Sequence, residues 1–143
     1  MIPIKFRGMI KGKNDKKDQW VYGYLTRDKK YSWMEVAEKD GYLYFIKHSD
    51  ITSTQVNLET VGQFIGLLDK NGKEIYDGDI IARKYRGSYQ EHQKIEYSNT
   101  PDSAYDGEMG YFIISYVGYS LPEDFEKFEV IGNIYENPEL VKL

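Results

Sequence analysis

No cysteine occurs in the 143 residues. That absence excludes a disulfide framework, Cys-ligated zinc, iron–sulfur clusters and thiol nucleophiles, and it suits a reducing compartment. Alanine is scarce at three residues, and leucine adds eight. A helical bundle of this length draws heavily on both, so their scarcity argues against one. Long apolar runs are missing as well. No stretch approaches the ~18 apolar residues of a membrane span. Met1-Ile2-Pro3-Ile4-Lys5 leads into no apolar run of signal-peptide length. The expectation is a cytoplasmic protein with no membrane association. Only two histidines are present, a thin supply for general acid–base chemistry.

What is plentiful suits strands. Isoleucine and valine number 21, and adding threonine and the 22 aromatics gives 48 residues, a third of the chain. Branched and aromatic side chains pack well on a pleated surface. The length fits one domain spanning residues 1–143, large enough to hold a core without staples. Net charge is −4 but uneven: residues 1–47 balance at +5, 48–98 at −2 and 99–143 at −7. Such polarity can draw one molecule's front to another's back.

Turn signals recur every 8–15 residues and divide the chain into strands. Strands are predicted over Ile4–Met9, Trp20–Thr26, Tyr31–Ala37, Tyr42–Lys47, Val61–Leu67, Ile80–Tyr85, Gln93–Tyr97, Tyr111–Tyr119 and Phe128–Asn133. Alternation places Trp20, Tyr22 and Tyr24 on one face and Val21 and Leu25 on the other. Asp40-Gly41, Asp69-Lys70-Asn71-Gly72 and Asp77-Gly78-Asp79 mark turns. Residues 49–60 and Gly87–Gln93 read mainly as loops, and 98–110 as a longer one. Tyr111–Tyr119, apolar on both faces, reads as the central strand. Pro122–Phe128 and Asn137-Pro138-Glu139-Leu140 suit short helical turns. The fold expected is mainly β, with antiparallel strands closing into a small barrel, additional strands and one or two short helical turns.

Three blocks carry a family resemblance. They are Ile4-Lys5-Phe6-Arg7, the segment from Thr60-Val61-Gly62-Gln63 through Asp77-Gly78-Asp79-Ile80-Ile81, and Val130-Ile131-Gly132-Asn133-Ile134-Tyr135-Glu136-Asn137-Pro138-Glu139-Leu140. Together they resemble the YopX family of phage and prophage proteins over nearly the whole chain. The family's opening often carries Ala-Trp after the Phe-Arg pair; Gly8 and Met9 stand there in this chain. The resemblance implies a phage or prophage origin, a setting in the host cell and a β-rich fold with a small SH3-like barrel. It implies no activity and supplies no catalytic or binding residues.

Each candidate chemistry has a plainer competitor. Asp69, Asn71, Asp77 and Asp79 offer oxygen ligands within eleven residues. An EF-hand, however, needs a third ligand before its glycine, and Gly72 comes too early. Turn building explains these residues better. His48-Ser49-Asp50 gathers the residue types of a nucleophile relay, without the strand–turn–helix elbow that would present them. His92 lies in a predicted loop. Glu123, Asp124, Glu126 and Glu129 read as a solvated acidic face rather than a glycosidase pair. Arg83, Lys84, Tyr85 and Arg86 interleave basic and aromatic residues, as single-stranded nucleic-acid sites do. Lys11, Lys13, Lys16 and Lys17 add a second basic cluster. The acidic net charge opposes that reading.

Fourteen tyrosines supply large apolar bodies with polar tips, which suit interfaces. The leading expectation is a non-enzymatic protein that works by binding, to itself as a homo-oligomer or to a phage or host protein. A single-stranded nucleic-acid binder using Arg83, Lys84, Tyr85 and Arg86 is the alternative, and an enzyme is less favoured. No cofactor or metal is expected.

Overall fold

The computed structural model describes residues 4–10, 17–29, 40–98, 110–114 and 127–141. The chain falls into two compact units, Met1–Phe64 and Ile65–Leu143. Charge divides with them. Residues 1–64 carry 11 Lys/Arg against 8 Asp/Glu, a balance of +3, and residues 65–143 carry 8 against 15, a balance of −7.

The first unit is built from β1 (Phe6–Ile10), β2 (Gln19–Lys29), β3 (Tyr42–Lys47), β4 (Ser53–Gln55) and the first part of β5 (Asn57–Leu68). Their order is β4-β3-β2-β1-β5, with antiparallel pairing. The second strand serves two partners in turn. Gln19 to Gly23 pair with β1, and Tyr24 to Lys29 pair with β3. Gly23 marks the hand-over. A Cβ there would lie 2.1 Å from the Lys47 carbonyl oxygen, so only glycine lets β3 approach.

The pairing of β1 with β5 breaks between Arg7, opposite Gly62, and Met9, opposite Asn57. The surplus residues of β5 form a bulge. Buried Thr60 fills the broken ladder: its Oγ1 accepts the Met9 N–H at 2.8 Å and donates to the Asn57 carbonyl at 2.7 Å. Val56 presses on the backbone here, and a Cβ at Gly8 would lie 2.8 Å from Val56 Cβ. Glycine at position 8 is therefore matched to Val56.

The second unit holds the end of β5, then β6 (Glu74–Tyr76), β7 (Asp79–Tyr85), β8 (Ser88–Ser98), β9 (Gly110–Ile114) and β10 (Phe128–Asn133), followed by a 3₁₀ helix at Pro138–Val141. Four of these strands form a sheet in the order β10-β7-β8-β9. Its core is Ile75, Ile81, Ile95 and Phe128, with Ile65 and Val130 packed against them.

The expectation of a closed, SH3-like barrel is overturned. Both sheets are open, and no described pairing joins a first strand to a last one. Closure needs the terminal strands to share a ladder with a fixed stagger. Here the edge of β4 is blunted by being three residues long, and β6 is equally short. Bulges in β1–β5, β7–β8 and β10–β7 bend the sheets without bringing their ends together.

Other differences are local. Ser88 onward is strand rather than loop, because Arg86 at φ 50° and Gly87 at φ 81° make a two-residue hairpin turn. Residues 111–114 of the segment expected as the central strand belong to β9, which among the described residues ends the sheet beside β8; 115–119 lie outside them. The strand predicted over 31–37 lies outside the described residues, as do 122–126 of the helical turn predicted over Pro122–Phe128, whose last residue opens β10, and 99–109 of the long loop.

Candidate functional site

The signature turns are held by their own side chains. Asp69 is 7% exposed, and its carboxylate accepts three backbone amides. Asn71 N–H at 2.8 Å and Lys73 N–H at 2.9 Å meet Oδ1; Val130 N–H at 2.9 Å meets Oδ2. Asp79 Oδ2 accepts the Tyr76 N–H at 2.8 Å. Asn133 Oδ1 accepts the amides of Tyr135 and Glu136 at 3.0 and 2.9 Å, and Asn137 Oδ1 accepts that of Asn133 at 3.3 Å. These oxygens serve turn amides, which a cation would have to displace. No cluster of three or more His, Asp or Glu suited to a metal occurs among the described residues.

The basic segment is dispersed by strand alternation. Arg83 is half-buried and lays its guanidinium over Phe128, 5.2 Å from the ring centroid. Lys84 points to the other face, its Nζ 5.5 Å from the Tyr89 ring centroid. Arg86 sits exposed in the hairpin turn. Of Tyr85 the backbone position in β7 is described, not the side chain. Lys84 and Arg83 thus do not line one groove. Glu129 is drawn into a local cluster: its Oε2 accepts the Tyr89 hydroxyl at 2.8 Å and Oε1 lies 3.6 Å from Lys70. That bond holds the Tyr89 phenol above its ordinary pKa. Glu123, Asp124, Glu126, Lys11, Lys13 and Lys16 lie outside the described residues. His92 donates from Nδ1 to the Leu140 carbonyl at 2.9 Å, which fixes the tautomer and ties β8 to the 3₁₀ helix.

His48, Ser49 and Asp50 are close in space but not as a relay. The His48 ring bonds the Thr54 hydroxyl through Nε2 at 2.9 Å, and Ser49 Oγ accepts the Ile51 N–H at 3.4 Å. With the His48 N–H donating to the Thr52 carbonyl at 3.1 Å, these bonds brace the β3–β4 turn.

The same three residues form one wall of a groove in the first unit. It encloses about 570 Å³ and is also lined by Ile4, Lys5, Tyr22, Gly23, Tyr24 and Lys47. Its origin lies in the hand-over at Gly23, where β2 leaves β1 for β3. Tyr22 and Tyr24 share a strand face with Trp20. Trp20 is half-buried, with Arg7 4.3 Å from its ring centroid, whereas Tyr22 is 41% and Tyr24 66% exposed. Ile4 is 64% exposed beside them. Further along, Tyr44 donates its hydroxyl to Asp40, which lowers the Asp40 pKa and raises that of Tyr44. The groove thus combines apolar and aromatic surface and two lysines with a volume in the range of ordinary ligand clefts.

The profile of the YopX protein family matches residues 5–142. The chain belongs to the YopX family. The match runs through both units and through the Gly8 and Gly23 contacts described above. Among solved structures, the crystal structure of protein EF1440 from Enterococcus faecalis is similar across 99% of this chain and 100% of that one. Identity is 24% and the TM-score is 0.51, a likeness of fold. No curated protein matches.

In the sequence, His48-Ser49-Asp50 carries the residue types of a relay and Tyr22 and Tyr24 mark a strand face, with nothing that joins the two. The available signal was Tyr22-Gly23-Tyr24: a glycine inside a strand marks a close backbone approach.

Proposed function

We propose that this member of the YopX family is a non-enzymatic binding protein whose first unit docks a protein partner in the Tyr22–Tyr24 groove. The observation that carries the reading is the exposure of Ile4, Tyr22 and Tyr24 together around one concavity. Single exposed apolar residues are ordinary, but a contiguous set rimmed by charge marks interaction sites. Tyrosine gives large contact area at low entropic cost. The groove's polar side chains favour binding over catalysis, since His48 and Ser49 are engaged in the turn.

A single-stranded nucleic acid is the competing ligand. It would have to engage Lys84, Tyr85 and Arg86 in a unit carrying −7, with Arg83 folded onto Phe128. Affinity capture from prophage-carrying cells, with and without nuclease, separates the two. The groove reading predicts protein capture that survives nuclease and is lost in Tyr24→Ala. Capture that nuclease abolishes, or that Tyr24→Ala leaves intact, overturns it.

A further inference from the structure

Strand register sets the charges around the two tyrosines of the groove. Lys47 of β3 lies directly opposite Tyr24. On the other side of β2, Phe6 of β1 lies opposite Gly23. Lys5 precedes Phe6 and continues its ladder, its carbonyl accepting the Phe64 N–H at 2.7 Å, so antiparallel register brings it level with Tyr24. The two lysines therefore approach Tyr24 from opposite flanks, and both line the groove. Adjacent strands lie about 4.8 Å apart, which puts the two lysine backbones about 10 Å apart. Arg7 stands opposite Tyr22, and residues directly opposite share a face. It brings a third cation to the tyrosine face, stacked on Trp20 and 4% exposed. The described lining holds one acid, Asp50, in the turn three residues beyond Lys47. The groove is thus cationic at its aromatic centre and acidic only at the turn.

We propose that the occupant of the groove is an acidic linear segment of a different protein. One aromatic residue of that segment packs on Tyr22 and Tyr24, and carboxylates on either side of it meet Lys5 and Lys47. An extended chain advances about 3.3 Å per residue, so carboxylates about three residues apart span the two lysines. An aromatic anchor gains the offset or edge-to-face contacts that ring pairs prefer. Charge selects this occupant. A basic segment would set its cations against Lys5, Lys47 and Arg7, in a unit that carries +3. A neutral apolar segment would strip water from the lysines without supplying a counter-charge. A groove that seats one anchor predicts weak binding, with Kd on the order of 100 micromolar. The inference rests on the groove being a docking site and names the chemistry of its occupant.

Fluorescence anisotropy of labelled peptides tests it, at low salt and with the full chain at loadings up to about 1 mM. The probe is a short Ser/Gly peptide carrying Glu-Trp-Ser-Glu. One control replaces both Glu with Lys, a second replaces Trp with Ser, and a third is a single-stranded DNA of similar length. The acidic probe should bind about tenfold or more tightly than either peptide control, and Tyr24→Ala should weaken it about tenfold, as loss of a central contact does. Lys47→Glu should weaken the acidic probe and tighten the Lys control, a gain that misfolding cannot produce; Lys5→Glu should act in the same direction. Equal affinity for the acidic and Lys peptides, no binding at the highest loading, or tighter binding of the DNA overturns the proposal. So does a peptide affinity that falls as protein loading rises, which would make a second copy the occupant. Nuclease-resistant capture from prophage-carrying cells that needs Tyr24 but is unchanged by Lys47→Glu removes the acidic segment and leaves the docking site standing. Capture indifferent to Tyr24→Ala as well removes both.

Discussion

Replacing Asp69 with alanine should destabilise the second unit by about 3 kcal/mol, a figure that follows from what its carboxylate holds. Three amides lose their acceptor at once. A hydrogen bond to an ionised group contributes about 1.5–3 kcal/mol, and bonds sharing one side chain do not add fully. Asn71 and Lys73 are exposed, so their amides recover water. Val130 is half-buried on β10, and its amide recovers less. Most of the loss should therefore come from the link between the 69–72 turn and β10. Asp69→Asn keeps one acceptor oxygen but turns an amide donor toward donors, so it should cost about 2 kcal/mol. At this chain size 3 kcal/mol corresponds to a fall in Tm of about 10 °C. Differential scanning calorimetry of wild type and both variants reads this directly. A loss under about 1 kcal/mol would refute the turn account. So would calcium raising the Tm of wild type but not of Asp69→Ala, since the carboxylate would then be a cation ligand.

Three further predictions concern single contacts. Thr60→Val keeps the shape but orphans the buried Met9 amide, and should cost about 1–3 kcal/mol by urea denaturation; a neutral result would contradict the bulge described. Gly23→Ala forces a Cβ to within 2.1 Å of the Lys47 carbonyl, and should shift the amide resonances of β2 and β3 or prevent folding of the first unit. An unshifted spectrum would show that the hand-over tolerates a side chain. In an ultraviolet titration, Tyr44 and Tyr89 should ionise above the ordinary phenol pKa of about 10. Both values are raised on folding, so each bond's stabilisation is present below the ordinary value and fades as pH rises through the raised one. Asp40 behaves oppositely: its lowered value means that its contribution is lost as pH falls through that value. Glu129→Gln should return Tyr89 toward the ordinary value, and no change would discount the Tyr89–Glu129 bond.

What the sequence made legible was local chemistry. The 69–72 turn, closed by the Gly72 N–H on the Asp69 carbonyl at 3.0 Å, lies where its Asp, Asn and Gly place it. Phe128–Asn133 is a strand and Pro138–Val141 a helical turn, as their residue types require. The alternation of Trp20, Tyr22 and Tyr24 was readable for the same reason. Non-local pairing was not. Whether strands close into a barrel depends on which edges meet, and the short β4 and β6 carry no local sign of that choice. The start of β8 at Ser88 was hidden because Arg86 adopts positive φ, a rare conformation for a side-chain-bearing residue. The basic segment is one run in the sequence, but β7 alternation sends Arg83 to Phe128 and Lys84 to Tyr89. The groove needed tertiary knowledge of another kind. It joins residues 4–5, 22–24 and 47–50, which only the pairing of three strands brings together.

On the function proposed above, this YopX-family protein acts through the Tyr22–Tyr24 face of its first unit. The most direct measurement places a photoreactive phenylalanine analogue at position 24 and, separately, at the exposed Lys73 position in the second unit. Both proteins are irradiated in prophage-carrying cells, and adducts are identified by mass spectrometry. A discrete protein adduct from position 24, mapped to a defined segment, and little from position 73 is the expected result. No adduct at 24, or equal and scattered adducts at both positions, would contradict it.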